Sequence, residues 1–315
     1  MTLIRKSFEL DVQTKIKALV YGQAGTGKTT LAISAPKPLL FDFDGGVHRV
    51  NFAHLANVDT VQISSYQDFL DVLNEDLSAY ETLVIDTGGK CLDYMAEFIV
   101  KKNPKMGKAN GTLTLQGYGE RKAEFTALVR KVSIMGKHIL FVAHRETKQD
   151  GDDMRYVPLF GGSNYDSLVT ELDLVGYLEA NGRKRVITFD PTSRNDGKNT
   201  CNLPAQMEIP QIVDAEGNPT SQNDFFTEAV IKPYLLRIEQ RKQEGVKYNE
   251  LIDEFKEQIE LITDELSAND FIERIDAFQH IGSSKLMAAK LLSEKCGKLK
   301  LSLNKQTRRY ERATA

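Results

Sequence analysis

The chain has 315 residues, of which 41% are apolar, so it is long enough to bury one large α/β core and a smaller second one. Its 41 basic and 44 acidic side chains give a net charge of -3, which excludes a global electrostatic attraction to nucleic acid or anionic lipid. The three cysteines are far apart and lack Cys-x-x-Cys spacing, which argues against a disulfide framework and a zinc site. No stretch approaches the roughly 18 apolar residues of a membrane span, so we expect a cytoplasmic protein.

Strand-like and helix-like segments alternate along the first half of the chain. Apolar runs that predict buried strands occur at residues 16–21, 38–43, 82–86 and 138–143. Patterns that favour helices lie between them, at residues 66–77, 89–102 and 119–135. This alternation predicts an α/β fold with a mainly parallel sheet covered on both faces.

The pattern changes in the second half of the chain. Residues 172–179 and 183–190 are predicted strands joined at Asn181-Gly182, a strong hairpin signal, and we expect them to form an antiparallel edge of the sheet. Strand character ends at Asp224, and the segments after it are predicted helices, at residues 225–236, 248–262, 269–278 and 284–295. We therefore predict two domains, residues 1–235 and a helical domain of residues 236–315.

Charge is concentrated at the C-terminal end. Residues 281–315 contain nine basic side chains against Glu294 and Glu311. Such a segment is typical of an arm that binds nucleic acid, and a solvated, partly disordered tail is the alternative.

The segment Gly22 to Thr29 fits the pattern GxxxxGK[ST] and follows an apolar strand directly. In this P-loop motif, glycines let backbone N–H groups point at phosphate oxygens, and the next helix adds positive potential at its N-terminus. Lys28 would contact the β- and γ-phosphates of ATP, and the Thr29 hydroxyl would ligate Mg²⁺. The alternative is a glycine-rich turn with a surface lysine. The predicted nucleotide-binding residues are Gly22, Gln23, Ala24, Gly25, Thr26, Gly27, Lys28, Thr29 and Thr30.

Two strands end in carboxylates. Asp86 ends the apolar run Thr82 to Asp86 and is predicted to hold Mg²⁺, with a helix cap as the alternative. The strand after the P-loop helix leads into Asp42 and Asp44, and in a RecA-type core the carboxylate that activates the attacking water lies at the end of this strand. Asp44 therefore becomes the candidate base, with a turn aspartate as the alternative.

Other polar side chains follow the later strands. His144 comes directly after the run 139–143 and is a candidate phosphate sensor or a structural hydrogen bonder. Basic residues near the last predicted strands could reach the nucleotide of a neighbouring subunit, and Arg194 and Lys198 are favoured over Arg183 and Arg185.

Two segments are candidate single-stranded DNA contacts, although flexible solvated loops are the alternative for both. The first is Lys101 to Tyr118, which has four lysines, no acidic residue and one aromatic residue. The second is Phe160-Gly161-Gly162.

Taken together, the P-loop, the strand ending at Asp44, Leu83 to Asp86, Gln116 to Gly119 and Phe141 to His144 resemble phage nucleotide-binding proteins of the Sak type, over residues 14–205. The resemblance implies a RecA-like ATPase that binds single-stranded DNA in recombination or strand annealing, beside a single-stranded-DNA-binding protein. It also implies a ring or filament of identical subunits and, for a phage-encoded chain, the cytoplasm of a bacterial host.

This sequence departs from the Sak pattern at two positions. It has Asp44 where glutamate is frequent, which suggests slow hydrolysis, and Lys198-Asn199-Thr200 where Lys-x-Arg is expected. A helicase or helicase-loader ATPase, and a nucleotide-gated interaction module with little hydrolysis, are the alternatives.

Overall fold

The computed structural model describes residues 10, 12, 14–150 and 153–312. The chain divides into two compact units, one of residues 13–235 and the other containing Leu236 onward. The first residues of the predicted domain 1–235 and residues 313–315 of the predicted tail lie outside the described part. The assignment of residues 1–235 and 236–315 to two domains stays a prediction.

The first unit is built on a sheet of parallel strands with an antiparallel side. In order across the sheet the strands are β10-β8-β7-β1-β5-β4-β2-β3, while β6 pairs with β5 and β9 pairs with β7. The strands are β1 (Lys17–Gly22), β2 (Pro38–Asp42), β3 (Asp59–Gln62), β4 (Thr82–Asp86), β5 (His138–Asp150), β6 (Asp153–Pro158), β7 (Leu174–Asn181), β8 (Lys184–Thr188), β9 (Lys198–Asn199) and β10 (Gln206–Ile209).

Helices cover both faces of this sheet. They are α1 (Lys28–Ala32), α2 (Phe52–Leu55), α3 (Tyr66–Val72), α4 (Gly88–Lys102), α5 (Leu115–Ile134) and α6 (Tyr165–Val169). Alternate residues of a strand point to opposite faces, so Leu19 and Tyr21 join the core under α3, α4 and α5, while Ala18 and Val20 join the core under α1. The predicted α/β class with a mainly parallel sheet is confirmed.

The register brings the ends of the central strands together at one edge. Gly22 of β1 is paired with His144 of β5, and Asp42 of β2 is paired with Asp86 of β4. Ligands of open parallel sheets bind beyond the carboxyl ends of the strands, which is where these residues lie.

Several predicted elements differ from the observed ones. The hairpin at Asn181 is present, but β7 is parallel to β1 and lies inside the sheet, so the edge strands are β10 and β3. Strand β5 continues to Asp150 and forms a hairpin with β6. The second half of β5 and strand β6 were missed because charged residues interrupt their sequences.

The second unit contains helices and a short hairpin. Near the end of the first unit, a π-helical turn, Phe226–Ile231, leads into one long helix, α7 (Lys232–Glu260), instead of the two predicted helices, and most of α7 belongs to the second unit. Helices α8 (Glu265–Ile275) and α9 (Ser284–Lys298) follow, and then strands β11 (Leu301–Asn304) and β12 (Arg309–Arg312) form an antiparallel pair. The expectation that strands end at Asp224 was therefore wrong.

The basic segment is folded as far as Arg312, so the alternative of a partly disordered tail was wrong for its described part. Leu292 of α9, Leu301 of β11 and Tyr310 of β12 belong to the apolar core that contains Phe255 and Phe271. Five basic residues of this segment pair with carboxylates, in the pairs Lys285–Asp276, Lys290–Glu294, Lys295–Glu260, Arg309–Glu273 and Arg312–Glu265. Much of the positive charge is therefore matched locally.

Among the described residues, no helix combines the length and apolar composition that a bilayer-spanning segment requires.

Candidate functional site

The loop from Gly22 to Thr29 connects β1 to α1 at the carboxyl edge of the sheet. Gly25 and Gly27 have φ angles of +77° and +91°, a region that L side chains rarely adopt. Gly22 meets a steric limit instead, because an added Cβ would lie 2.3 Å from the backbone oxygen of Leu178. The glycines of the motif are therefore required by the path of the loop.

Lys28 is buried at the start of α1, with 6% of its surface exposed. Its Nζ donates a hydrogen bond of 2.8 Å to the carbonyl oxygen of Gln23, and it forms no ion pair within the described residues. Burial lowers the pKa of Lys28, and the carboxylates of Asp86 and Asp44 act in the opposite direction. A buried ammonium without a counter-ion is costly, so this position favours an anionic ligand.

Thr29 and Asp86 form the second part of the site. The Thr29 hydroxyl donates a hydrogen bond of 2.5 Å to Asp86 Oδ2. Burial raises the pKa of Asp86 to about 6, the Thr29 hydrogen bond lowers it, and the charge of Asp44 raises it further. A hydroxyl and a carboxylate oxygen in contact are hard ligands of the kind that Mg²⁺ uses, so these two residues fit a magnesium ion.

The two aspartates after β2 have different surroundings. Asp42 is buried, and its carboxylate accepts hydrogen bonds from the backbone N–H groups of Gly46 (3.1 Å) and Val47 (3.3 Å). Asp44 is exposed and accepts one hydrogen bond of 2.9 Å from the Gly46 N–H. Asp42 therefore holds the turn, while Asp44 has oxygen atoms available to a reactant.

A cavity of about 220 Å³ is where the predicted residues meet. It is lined by Lys28, Thr29, Asp44, Asp86 and His144, together with other P-loop residues and Arg49. The sequence interpretation missed Arg49, whose place beside Asp44 depends on the short 3-10 turn Val47–Arg49.

His144 lies at the end of this cavity with part of its ring accessible. Burial lowers the pKa of His144, Lys28 and Arg49 lower it further, and Asp44 raises it. The net direction keeps the imidazole neutral at pH 7, so it carries one N–H donor and one acceptor.

The basic residues predicted to act across a subunit boundary have partners in their own chain. Lys198 Nζ donates to the carbonyl oxygens of Val169 and Thr170, at 3.0 and 3.1 Å. Arg194 lies 3.9 Å from a carboxylate oxygen of Glu179. A different member of the group reaches the P-loop, because Arg185 Nε donates a hydrogen bond of 2.9 Å to the Thr26 carbonyl oxygen.

The two candidate DNA segments have different surroundings. The four lysines of the first segment, Lys101, Lys102, Lys105 and Lys108, are exposed. Phe160 of the second segment is fully buried against Phe125 and Phe141, so its ring is not available to stack on a base. Gly161 and Gly162 line a cavity, and a DNA contact of this segment stays a prediction.

A further cavity of about 330 Å³ shares Thr87 and His144 with the phosphate cavity. Arg121 lines it and is 7% exposed. Its Nη2 donates 2.7 Å to the Gly161 carbonyl oxygen, and its Nε has no hydrogen-bond partner within the described residues. Tyr118 lies beneath the guanidinium, 5.0 Å from ring centroid to Cζ.

The sheet order, the P-loop and the Thr29–Asp86 pair define a P-loop protein of the ATPase class. Residues 14–201 match the family described as "AAA domain", which is more than half of the chain, and the chain belongs to that family. No curated protein gives a significant match.

One similar solved structure is the KaiC-like protein PH0186 from the hyperthermophilic archaeon Pyrococcus horikoshii OT3. It has 14% sequence identity to this chain and a TM-score of 0.34, and the match covers 56% of this chain and 79% of that one. A likeness this distant bears on neither the site nor the function.

Proposed function

We propose that the protein binds and hydrolyses ATP in a magnesium-dependent reaction. The observation that carries the proposal is the contact of 2.5 Å between the Thr29 hydroxyl and Asp86 Oδ2, beside a buried Lys28 that forms no ion pair among the residues the structure describes. Lys28 and the loop amides would hold the β- and γ-phosphates, while Thr29 and Asp86 would hold Mg²⁺. When bound, Mg²⁺ offsets the charge on the phosphate oxygens.

Three other residues would act on the attacking water and the terminal phosphate. Asp44 would accept the proton of the water, because its carboxylate faces the cavity and is not fully used by the turn. The neutral His144 ring would donate one hydrogen bond to a phosphate oxygen. Arg49, which lines the same cavity, would add a positive charge from within the same subunit.

The proposed partner is single-stranded DNA, in recombination or strand annealing, as the resemblance to the Sak type implies. The exposed lysines between residues 101 and 108 support this, because they lie in a stretch without acidic residues. They would bind backbone phosphates whatever the base sequence of the strand. The cavity beside Arg121 lies against His144, so an anion bound there would adjoin the nucleotide site. A single-stranded-DNA-binding protein and identical subunits in a ring or filament are the proposed protein partners.

The test is ATP turnover with and without single-stranded DNA, for the wild type, Lys28→Ala and the exposed-lysine control Lys247→Ala. We expect turnover that DNA increases, that Lys28→Ala abolishes and that Lys247→Ala leaves unchanged. Strand unwinding would favour a helicase instead. Tight ATP binding without turnover would favour a nucleotide-gated interaction module.

A further inference from the structure

The cavity of about 330 Å³ beside Arg121 adjoins the phosphate cavity, because Thr87 and His144 line both of them. A group that leaves the terminal phosphate position past these two residues would therefore enter this cavity. Its volume is many times that of one water molecule, about 30 Å³ in the liquid, so an ion of phosphate size fits.

Arg121 supplies the positive charge inside the cavity. Its side chain is 7% exposed and forms no ion pair with any residue that the structure describes. Its Nη2 is used by the Gly161 carbonyl oxygen, whereas the Nε donor is left without an acceptor among those residues. A buried guanidinium stays charged, so the missing acceptor and the missing counter-ion both favour an oxyanion.

The first turn of α4 forms another wall of the cavity. Thr87 is its N-cap, and the Thr87 hydroxyl accepts a hydrogen bond of 3.4 Å from the Lys90 N–H. The N–H groups at a helix start and the positive end of the helix dipole attract anions. Asp93 also lines the cavity, but its carboxylate lies 3.9 Å from Lys90 Nζ, so Arg121 leaves the wall with a positive balance.

The depth of Arg121 favours a free ion over a nucleic-acid strand. Because only 7% of this residue is exposed, a phosphate group has to enter the cavity to reach the guanidinium. A phosphodiester of DNA carries a sugar on each side, whereas inorganic phosphate carries none. The cavity also opens beside His144, next to the place where hydrolysis would produce this ion.

We propose that this cavity receives the inorganic phosphate released by ATP hydrolysis. The inference rests on the proposed function, because it takes the terminal phosphate to lie between Lys28 and His144. In that reaction the water oxygen bonds to the γ-phosphorus as the bond to the β–γ bridging oxygen breaks. The bridging oxygen stays on ADP, and the proton of the water passes to Asp44. The freed ion then moves past Thr87 into the cavity, where Arg121 and the first turn of α4 bind it.

The experiment measures phosphate binding while the P-loop is occupied. The protein is saturated with magnesium and the non-hydrolysable β,γ-imido analogue of ATP, and inorganic phosphate is titrated in by calorimetry. The wild type should bind one phosphate saturably. Arg121→Gln should weaken the phosphate affinity by about 10- to 100-fold, because a charge-assisted hydrogen bond is lost, and should leave the affinity for the analogue within about twofold.

Lys90→Gln is the second variant in case Arg121→Gln does not fold. It removes an exposed charge at the cavity and should weaken the phosphate affinity by about two- to fivefold. Lys122→Gln is the matched control, since Lys122 is an exposed lysine next to Arg121 in α5 and does not line the cavity. It should leave both affinities unchanged.

A wild type that binds the analogue but no phosphate would overturn the phosphate assignment alone, as would an unchanged phosphate affinity in folded Arg121→Gln. A short single-stranded oligonucleotide is the competing ligand, and we expect it not to displace the bound phosphate. Displacement, with a matching loss of oligonucleotide affinity in Arg121→Gln, would assign the cavity to the DNA backbone and overturn the proposal. Absence of analogue binding by the wild type would overturn the proposed function itself.

Discussion

Asp42 and Asp44 are two residues apart, yet we expect their asparagine variants to lose different properties, stability in one case and ATP turnover in the other. Asp44→Asn removes the proposed base from an exposed position, so we expect ATP affinity to be kept and turnover to fall by about 10²- to 10⁴-fold. Its effect on the free energy of unfolding should stay within about 0.5 kcal/mol, as for most surface changes.

Asp42→Asn should instead act on stability. Asp42 is 3% exposed and accepts from two backbone N–H groups, whereas an asparagine has one acceptor oxygen and would turn its NH₂ toward the second. Leaving one buried donor unpaired costs about 2 kcal/mol. For a unit of this size, each kcal/mol lost from the free energy of unfolding lowers the Tm by about 2 to 4 °C.

The assays are thermal unfolding by circular dichroism and phosphate release at saturating ATP, on both variants. Unchanged turnover in Asp44→Asn would remove Asp44 from the mechanism. A Tm of Asp42→Asn equal to that of the wild type would refute the assignment of Asp42 to the turn.

Three further predictions test other parts of the structure. First, the raised pKa of Asp86 means that, without ligand, its contribution to stability is present below about pH 4 and lost as the pH rises through about 6. Asp86→Asn should therefore gain stability relative to the wild type between these pH values, by about 3 kcal/mol in urea unfolding, and a pH-independent difference would contradict this. Second, Gly22→Ala places a methyl group against the Leu178 carbonyl oxygen and should lose ATP binding and several degrees of Tm, whereas Gly119→Ala in α5 meets nothing within 4 Å and should be tolerated. Wild-type ATP affinity and Tm in Gly22→Ala would contradict this steric limit between β1 and β7. Third, we consider replacing four lysines by glutamine, Lys101, Lys102, Lys105 and Lys108. If each contacts one phosphate, the slope of the logarithm of single-stranded DNA affinity against the logarithm of salt concentration should become shallower by about 3. An unchanged slope in fluorescence anisotropy would exclude this segment.

The C-terminal basic segment needs a gentler test than deletion. Leu292, Leu301 and Tyr310 are part of a core, so removing residues 281–315 would unfold the unit and weaken DNA binding for a trivial reason. The informative variant neutralises basic side chains that form no ion pair within the described residues, Lys298, Lys300, Lys305 and Arg308. If the segment is a DNA contact, this variant should weaken single-strand binding and leave the Tm unchanged; equal affinity would exclude it.

Much of the site could be predicted because its parts are local patterns. The backbone path of the loop requires the glycines around Lys28, and strand register places the carboxylate of Asp86 at the end of its strand. Each of these features depends on a short run of consecutive residues. The parallel core strands were found for the same reason, since burial on both faces leaves uninterrupted apolar runs.

The parts that failed depend on contacts distant in sequence. Strand β3 has the polar sequence Asp59–Gln62 and is a strand only because β2 pairs with it. Arg185 reaches Thr26 across 159 positions, so nothing near it in the sequence distinguishes it from Arg194. Phe160 stands before two glycines like a loop residue, but its ring completes the packing of Phe125 and Phe141.

The central claim is that residues 22–29 hold a triphosphate, and calorimetric titration of ATP with magnesium present tests it most directly. We predict saturable binding of one ATP per chain, weakened by about 10- to 100-fold in Lys28→Ala, because a charge-assisted hydrogen bond contributes about 1.5–3 kcal/mol. No saturable binding by the wild type, or equal affinity in the two proteins, would contradict the account.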